Sequence, residues 1–215
     1  MAQLFPKHSN TLAKLGTLSV LSAPVVLGVI LYILARSVYS TDVGMSKEQP
    51  IPFSHKHHVE GLGIDCRYCH TSVEKSSFAG IPPTKTCMNC HSIIWNKAPM
   101  LEPVRESFRT NQSLTWNRVH NLADFVQFNH SIHIAKGVAC TTCHGQVNEM
   151  PLMRRANRLQ MEWCLSCHRA PEKFIGPKDK VFDPHWKAPN QAELGPELVS
   201  QYNVKKLTNC SVCHR

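Results

Sequence analysis

Residues 15–35, LGTLSVLSAPVVLGVILYILA, contain no charged side chain and lie between Lys14 and Arg36. At 1.5 Å per residue a helix of this length spans about 30 Å, the thickness of a membrane's hydrocarbon core. The pattern predicts one transmembrane helix over 15–36. The preceding tail, 1–14, carries Lys7 and Lys14 and is expected to stay in the cytoplasm. A cleaved secretory leader would have a shorter apolar core and an Ala-x-Ala site after it, so retention of the helix as an anchor is the expectation. Pro24 removes one backbone donor within this helix. Ser19 and Ala23 are small and four apart, a spacing that permits close approach of another helix.

Past residue 36 the pattern changes. Residues 37–49 read as a linker. From 50 to 215 there is neither a sustained 3.6-residue apolar period nor a run of alternation. Prolines recur throughout, from Pro50 and Pro52 to Pro189 and Pro196, and break any long regular run. The expected fold is mainly irregular, with short α-helices, long loops and almost no sheet. Such a chain has little side-chain material for a conventional core.

The cysteines point to what fills the interior. All ten fall in five Cys-x-x-Cys pairs, and a histidine follows each: Cys66/Cys69-His70, Cys87/Cys90-His91, Cys140/Cys143-His144, Cys164/Cys167-His168 and Cys210/Cys213-His214. Cys-x-x-Cys-His is the attachment motif of a c-type haem: two thioethers hold one porphyrin and the adjacent histidine lies under the iron. Zinc ribbons do not require a histidine after every pair, and disulfide frameworks do not repeat one spacing five times. The expectation is five haem c groups, with the cysteines as covalent attachments and His70, His91, His144, His168 and His214 as proximal ligands. The porphyrins then form most of the apolar interior.

Haem also changes the meaning of the charge. The formal net charge is +9. Two propionates per haem bring the holoprotein to roughly +4 oxidised and −1 reduced. Basic residues are thereby assigned to propionates, and no nucleic-acid partner is expected.

A weak internal repeat supplies second axial ligands. PFSHKHHVEGLGIDCRYCH (52–70) and FNHSIHIAKGVACTTCH (128–144) share Phe-x-His-x-x-His, then a glycine-containing stretch, then the motif. Two modules follow, about 50–100 with two haems and 120–215 with three, joined by 102–116. His55, His58, His130 and His133 are the expected distal ligands. Histidines three apart can point to different irons, and the expectation is that one serves the local haem and the other a neighbour. For the fifth, His120 is the first choice; His185, Met150, Met153 and Met161 are the alternatives. Methionine would raise that haem's potential. His57 falls out of the pattern and reads as a surface residue. With every iron six-coordinate, the chemistry reduces to gaining and losing electrons, and no catalytic residue is expected.

These segments resemble those of the class III, cytochrome c3 and c7-like, multihaem cytochromes. The single N-terminal span, the five motifs, the stretch 118–144 and MEWCLSCH (161–168) together resemble the pentahaem cytochrome c subunits of alternative complex III. That resemblance implies a single-pass protein of the cytoplasmic membrane with its haem domain on the periplasmic side. It also implies an iron–sulfur/molybdopterin-like subunit, polytopic quinol-binding membrane subunits and often a monohaem cytochrome c as partners. Electrons would pass from quinol to a soluble carrier or a terminal oxidase. A stand-alone membrane-anchored quinol dehydrogenase is the alternative, but its first motif resembles Cys-x-x-Cys-His-x-Met, and here Thr71 and Ser72 follow His70. A catalytic multihaem reductase would need an open iron, signalled by a lysine in place of a motif histidine or by a shortage of distal ligands; all five motifs keep histidine and enough candidate ligands are counted.

Overall fold

A computed structural model describes residues 4–214 and divides the chain into two compact units, Met1–Asp42 and Val43–Arg215. In the first, α1 (Ser9–Arg36) runs straight through Pro24, starting earlier than the charge-free stretch alone indicates. It is the one helix among the described residues long and apolar enough to cross a membrane. A short helix, α2 (Val38–Thr41), follows, and Asp42 closes it in the left-handed conformation.

The second unit is built from short helices, as the scattered prolines require. They are α3 (Cys66–Cys69), α4 (Thr84–His91), α5 (Glu102–Thr110), α6 (His130–Ala135), α7 (Cys140–His144), α8 (Met161–Arg169), α9 (Gln191–Gln201) and α10 (Cys210–Cys213). Lys56–Gly61 forms a π-helix. Pairing is limited to isolated bridges, such as Val138 with Ile175, and no strand forms among the described residues. The expectation of short helices, irregular connections and no sheet therefore holds.

Local chemistry sets the helix starts. The Asp65 carboxylate accepts from Arg67 N–H at 2.8 Å and caps α3. Asn129 does the same for α6 through Ser131 N–H at 2.9 Å. Pro82 and Pro83 precede α4, and Pro103 sits in the first turn of α5, where a missing donor costs nothing.

Stretch 102–116, expected as a connection, contains α5. This helix buries Val104 beside Ile51 and Leu101, against Cys87, Met88, Ala98, Leu114 and Trp116. The Thr84 and Ser107 hydroxyls, 2.7 Å apart, tie α4 to α5. Elsewhere α9 packs on the turn Pro171–Lys173. The contact is so close at Gly195 that a Cβ there would sit 1.8 Å from the Glu172 carbonyl oxygen. Only nine apolar side chains are buried among the described residues, too few for a protein interior of this length, so the side chains alone do not make the core.

Candidate functional site

Each Cys-x-x-Cys-His motif sits on a helix: α3, α4, α7, α8 and α10. Helical spacing puts cysteines three apart on one face, with the histidine at the helix end. The five motifs form a row of neighbours. A hydrogen bond between the free Cys66 and Cys140 thiols pulls Cys66 down to about 7 and pushes Cys140 up. Burial, then the Cys87 thiol, raises Cys69. Burial, then Cys167 and Cys164, pushes Cys143 up to about 12, and burial followed by Cys213 raises Cys164. These mutual influences link the second motif to the first, the first to the third, the third to the fourth and the fourth to the fifth. The Asn89 amide donating to the Tyr68 hydroxyl at 3.0 Å also joins the first two, and the Asn157 amide donating to the Cys143 carbonyl at 2.9 Å also joins the segment before the fourth to the third.

Cys90, in the last turn of α4, and Cys210, at the start of α10, are exposed, whereas the other eight motif cysteines are partly buried. The reason is their place in the row. Cys90 belongs to the second motif and Cys210 to the fifth, the two ends, where a neighbouring motif covers one side only. Cys87, one turn before Cys90, faces the first motif and α5, and burial raises its thiol. Cys90 thus keeps the motif spacing but lies at the surface.

The two Phe-x-His-x-x-His segments have the same internal geometry. The Phe53 ring meets His55 edge-on at 4.9 Å and stacks on His58 at 4.5 Å; Phe128 meets His130 at 4.7 Å and His133 at 4.6 Å in the same two poses. The second histidine of each segment faces the motif after its own. His58 lies 6.1 Å from His91, and His133 lies 6.2 Å from His168, between ring centroids. His130 lies 6.3 Å from His144, its local motif histidine.

These spacings test whether haem iron fits. A metal–imidazole bond of about 2 Å, plus about 1.1 Å from nitrogen to ring centre, puts two axial rings about 6.2 Å apart. The three measured pairs match that separation. His120 is different: its ring is 4.3 Å from His144, too close for one iron to lie between them.

Hydrogen bonds fix which nitrogen is free. Nδ1 of His58 faces the Ser54 carbonyl at 2.8 Å, that of His130 faces Ser77 at 2.7 Å, and that of His133 faces Asn129 at 2.7 Å. Among the motif histidines, His70 pairs with Gly80 at 2.7 Å, His91 with Ile94 at 3.0 Å and His214 with Phe125 at 3.1 Å. A carbonyl oxygen only accepts, so each Nδ1 carries the proton and each Nε2 keeps its lone pair for a metal. Burial reinforces neutrality. It lowers His55 to about 4, with His70 and His58 adding, and His144 to about 3, with His120, His130, His70 and His55 adding. His120 falls to about 4 through burial, then Arg155 and His130, and burial also lowers His133.

The remaining candidates separate by position. His120, the first choice for the fifth distal ligand, is brought to the third motif and not to His214. His185 is exposed and its Nε2 lies 3.1 Å from a Glu60 carboxylate oxygen. His57 is exposed on the π-helix. Met150 is 2% exposed, Met153 half-buried and Met161 66% exposed. Sequence reasoning did not anticipate the carbonyl acceptors of the Nδ1 protons, since any residue type provides one.

Residues 126–215 match the family of cytochrome c7 and related cytochrome c. The chain carries a multihaem cytochrome c. The relatives agree. The multiheme cytochrome c subunit of a menaquinone reductase from Nitratidesulfovibrio vulgaris is 39% identical over 99 residues, 46% of this chain and 46% of that protein. The cytochrome subunit of an acrylate reductase from Shewanella woodyi is 24% identical over 90 residues, 42% of this chain and 59% of that protein. The chain spans about half the length of the curated relatives it matches. A multihaem cytochrome c binds haem covalently and serves electron transport, which the paired neutral imidazoles suit.

Proposed function

We propose that the chain is the electron-transfer subunit of a membrane quinol-oxidising complex of the alternative complex III kind, holding five haem c groups. The observation that carries this reading is the set of imidazole pairs at 6.1–6.3 Å, one ring of each pair from a Cys-x-x-Cys-His motif. His58 with His91, His130 with His144 and His133 with His168 would hold three of the irons. By the repeat, His55 would serve His70, the motif histidine of its own segment. Bound haem c supplies a one-electron couple at each iron. The protein's part would be to supply neutral imidazoles from two segments to the same metal, with the Nδ1 protons of His58, His70, His91, His130, His133 and His214 kept on backbone carbonyls, and to set the motifs side by side. An iron held by two imidazoles would have no place for a substrate, so in this reading the paired motifs relay electrons without transforming a molecule.

In this reading α1 anchors the chain in the cytoplasmic membrane, with the haem unit on the periplasmic side. The expected partners are an iron–sulfur/molybdopterin-like subunit, polytopic quinol-binding subunits and a monohaem cytochrome c. A soluble carrier or terminal oxidase receives the electrons. The menaquinone reductase relative favours a second reading, in which electrons run towards the quinone through the same row.

The test is purification from native membranes in mild detergent. Intact mass should show five haem additions, and mass spectrometry should find iron–sulfur and polytopic subunits. Rapid haem reduction by a menaquinol analogue supports the first reading; rapid reoxidation of reduced haem by a menaquinone analogue, without reduction by quinol, supports the second. Recovery of the chain alone, oxidising quinol unaided, would replace both with a stand-alone dehydrogenase.

A further inference from the structure

The second and fifth motifs are the two that carry an exposed cysteine, Cys90 and Cys210. They share a further arrangement around the motif histidine. At the second motif the Ile94 carbonyl takes the Nδ1 proton of His91 at 3.0 Å. The ring of the next residue, Trp95, contacts the His91 imidazole at 6.5 Å between centroids, tilted by 36°. At the fifth motif the Phe125 carbonyl takes the Nδ1 proton of His214 at 3.1 Å, and the Phe125 ring contacts that imidazole at 5.7 Å, tilted by 35°. The second cysteine of each motif completes the clamp. The Cys90 carbonyl accepts from Ile94 N–H at 2.8 Å, and the Cys213 carbonyl accepts from Gln127 N–H at 2.8 Å.

The two clamps come from unrelated stretches of chain. Ile94 lies 3 positions from His91, whereas Phe125 and His214 are 89 positions apart. Among the described residues no Phe, Tyr or Trp ring contacts His70, His144 or His168; the rings beside His144 and His168 are other imidazoles. Trp95 is 61% and Phe125 69% exposed, so each ring stands between a motif histidine and water. Trp95 takes its place at φ +55°, a left-handed backbone that bulky residues seldom adopt. Such a conformation persists where neighbouring contacts fix it, and here the Trp95 carbonyl also accepts from Ala98 N–H at 2.9 Å. Both rings belong to the segment that binds Nδ1, and Nε2 is the nitrogen kept for a metal. The rings therefore cover the imidazoles without competing for the ligand position.

We propose that Trp95 and Phe125 are positioning residues for the proximal imidazoles of the second and fifth motifs. Each ring fixes the imidazole plane and keeps water from the Nδ1–H···O=C bond, and so holds up the potential of the iron that its motif carries. This rests on the five-haem reading above. Water admitted beside the imidazole favours the more highly charged ferric state, so loss of the ring lowers that potential.

The experiment uses the full-length, haem-loaded chain in detergent. Both side chains are mostly exposed, so Trp95→Ala and Phe125→Ala should keep the fold and, by intact mass, all five haems. Each variant should lower one midpoint potential in a redox titration. Each should also shift one haem's electron paramagnetic resonance signal, because the g-values follow the orientation of the axial ligand planes. The two variants should alter different haems. Trp95→Phe and Phe125→Tyr, which keep a ring, should restore the wild-type values. Unchanged potentials and g-values in either alanine variant, or the same change in the ring-keeping variant as in the alanine one, would overturn the assignment with five haems still in place. A wild type with no haem on the second or fifth motif, seen by intact mass and peptide mapping, would instead overturn the five-haem reading and the assignment together.

Discussion

The segments 53–66 and 128–140 perform the same task with chains of unequal length. Thirteen positions separate Phe53 from Cys66, but twelve separate Phe128 from Cys140. The extra residue falls after the second histidine. Val138 N–H bonds back to the His133 carbonyl, whereas Ile64 N–H bonds back to that of His58, one position farther. The first segment absorbs this residue as a π-helix where the second is a single α-helical turn. Ahead of it nothing moves: the phenylalanine contacts agree within 0.2 Å. The facing ring pairs are 6.1 Å and 66° in one segment and 6.2 Å and 69° in the other. A widened helix is thus a way to lengthen a chain without disturbing the ligands, in keeping with the frequency of π-turns at functional sites.

What the insertion changes is the outer face. It presents Glu60 to the Asn148 amide at 2.7 Å and to His185 at 3.1 Å. The second segment instead ends in Lys136, whose ammonium donates to the Tyr202 carbonyl at 2.6 Å.

The largest expected effect is on the shared feature. His58→Ala and His133→Ala should each convert one iron from low-spin to high-spin, equally, with the covalent haem content unchanged. Low-temperature electron paramagnetic resonance showing low-spin signals alone in either variant would break the equivalence of the segments. Next come the two turn glycines, which are not equivalent. Gly137 has φ +79° and an added Cβ would lie 2.2 Å from the Gly176 carbonyl oxygen; Gly63 has φ +66° and open space. Gly137→Ala should cost about 3 kcal/mol from strain and overlap, against about 1 kcal/mol for Gly63→Ala, measured by thermal melting of the holoprotein.

A smaller and matched loss, about 1–2 kcal/mol each, is expected for Phe53→Leu and Phe128→Leu, since each ring supports two imidazoles. A mismatch between the two melts would show that one segment leans on other packing. The smallest effect concerns the outer face. Glu60→Ala leaves the buried Asn148 amide without its acceptor and should cost about 1 kcal/mol, while leaving the spin state of every iron unchanged.

Much of the fold and the site is legible in the sequence. The motifs, the repeat and the apolar anchor are written in residue identity, because thiols, imidazoles and uninterrupted apolar runs have few substitutes. The absence of sheet follows from prolines and the lack of alternation. The π-helix is not legible, because a one-residue difference between loops says nothing about where a backbone widens. The exposure of Cys90 is not legible either, since five identical spacings do not say which motif ends the row. The position of His120 is a third case: it is the first choice for the fifth distal ligand from the sequence, but the fold sets it against the third motif. Nor is Glu60 readable as the holder of His185, since the two are 125 positions apart in the chain.

The acceptors of the six Nδ1 protons are all main-chain oxygens, at positions 54, 77, 80, 94, 125 and 129. Substituting a side chain at any of these leaves its oxygen in place. Random mutagenesis would therefore find the imidazoles readily and the groups that orient them hardly ever. Over long divergence the same asymmetry lets surrounding residues drift freely while the orientation of the rings persists, so low overall identity is compatible with an unchanged set of ring poses.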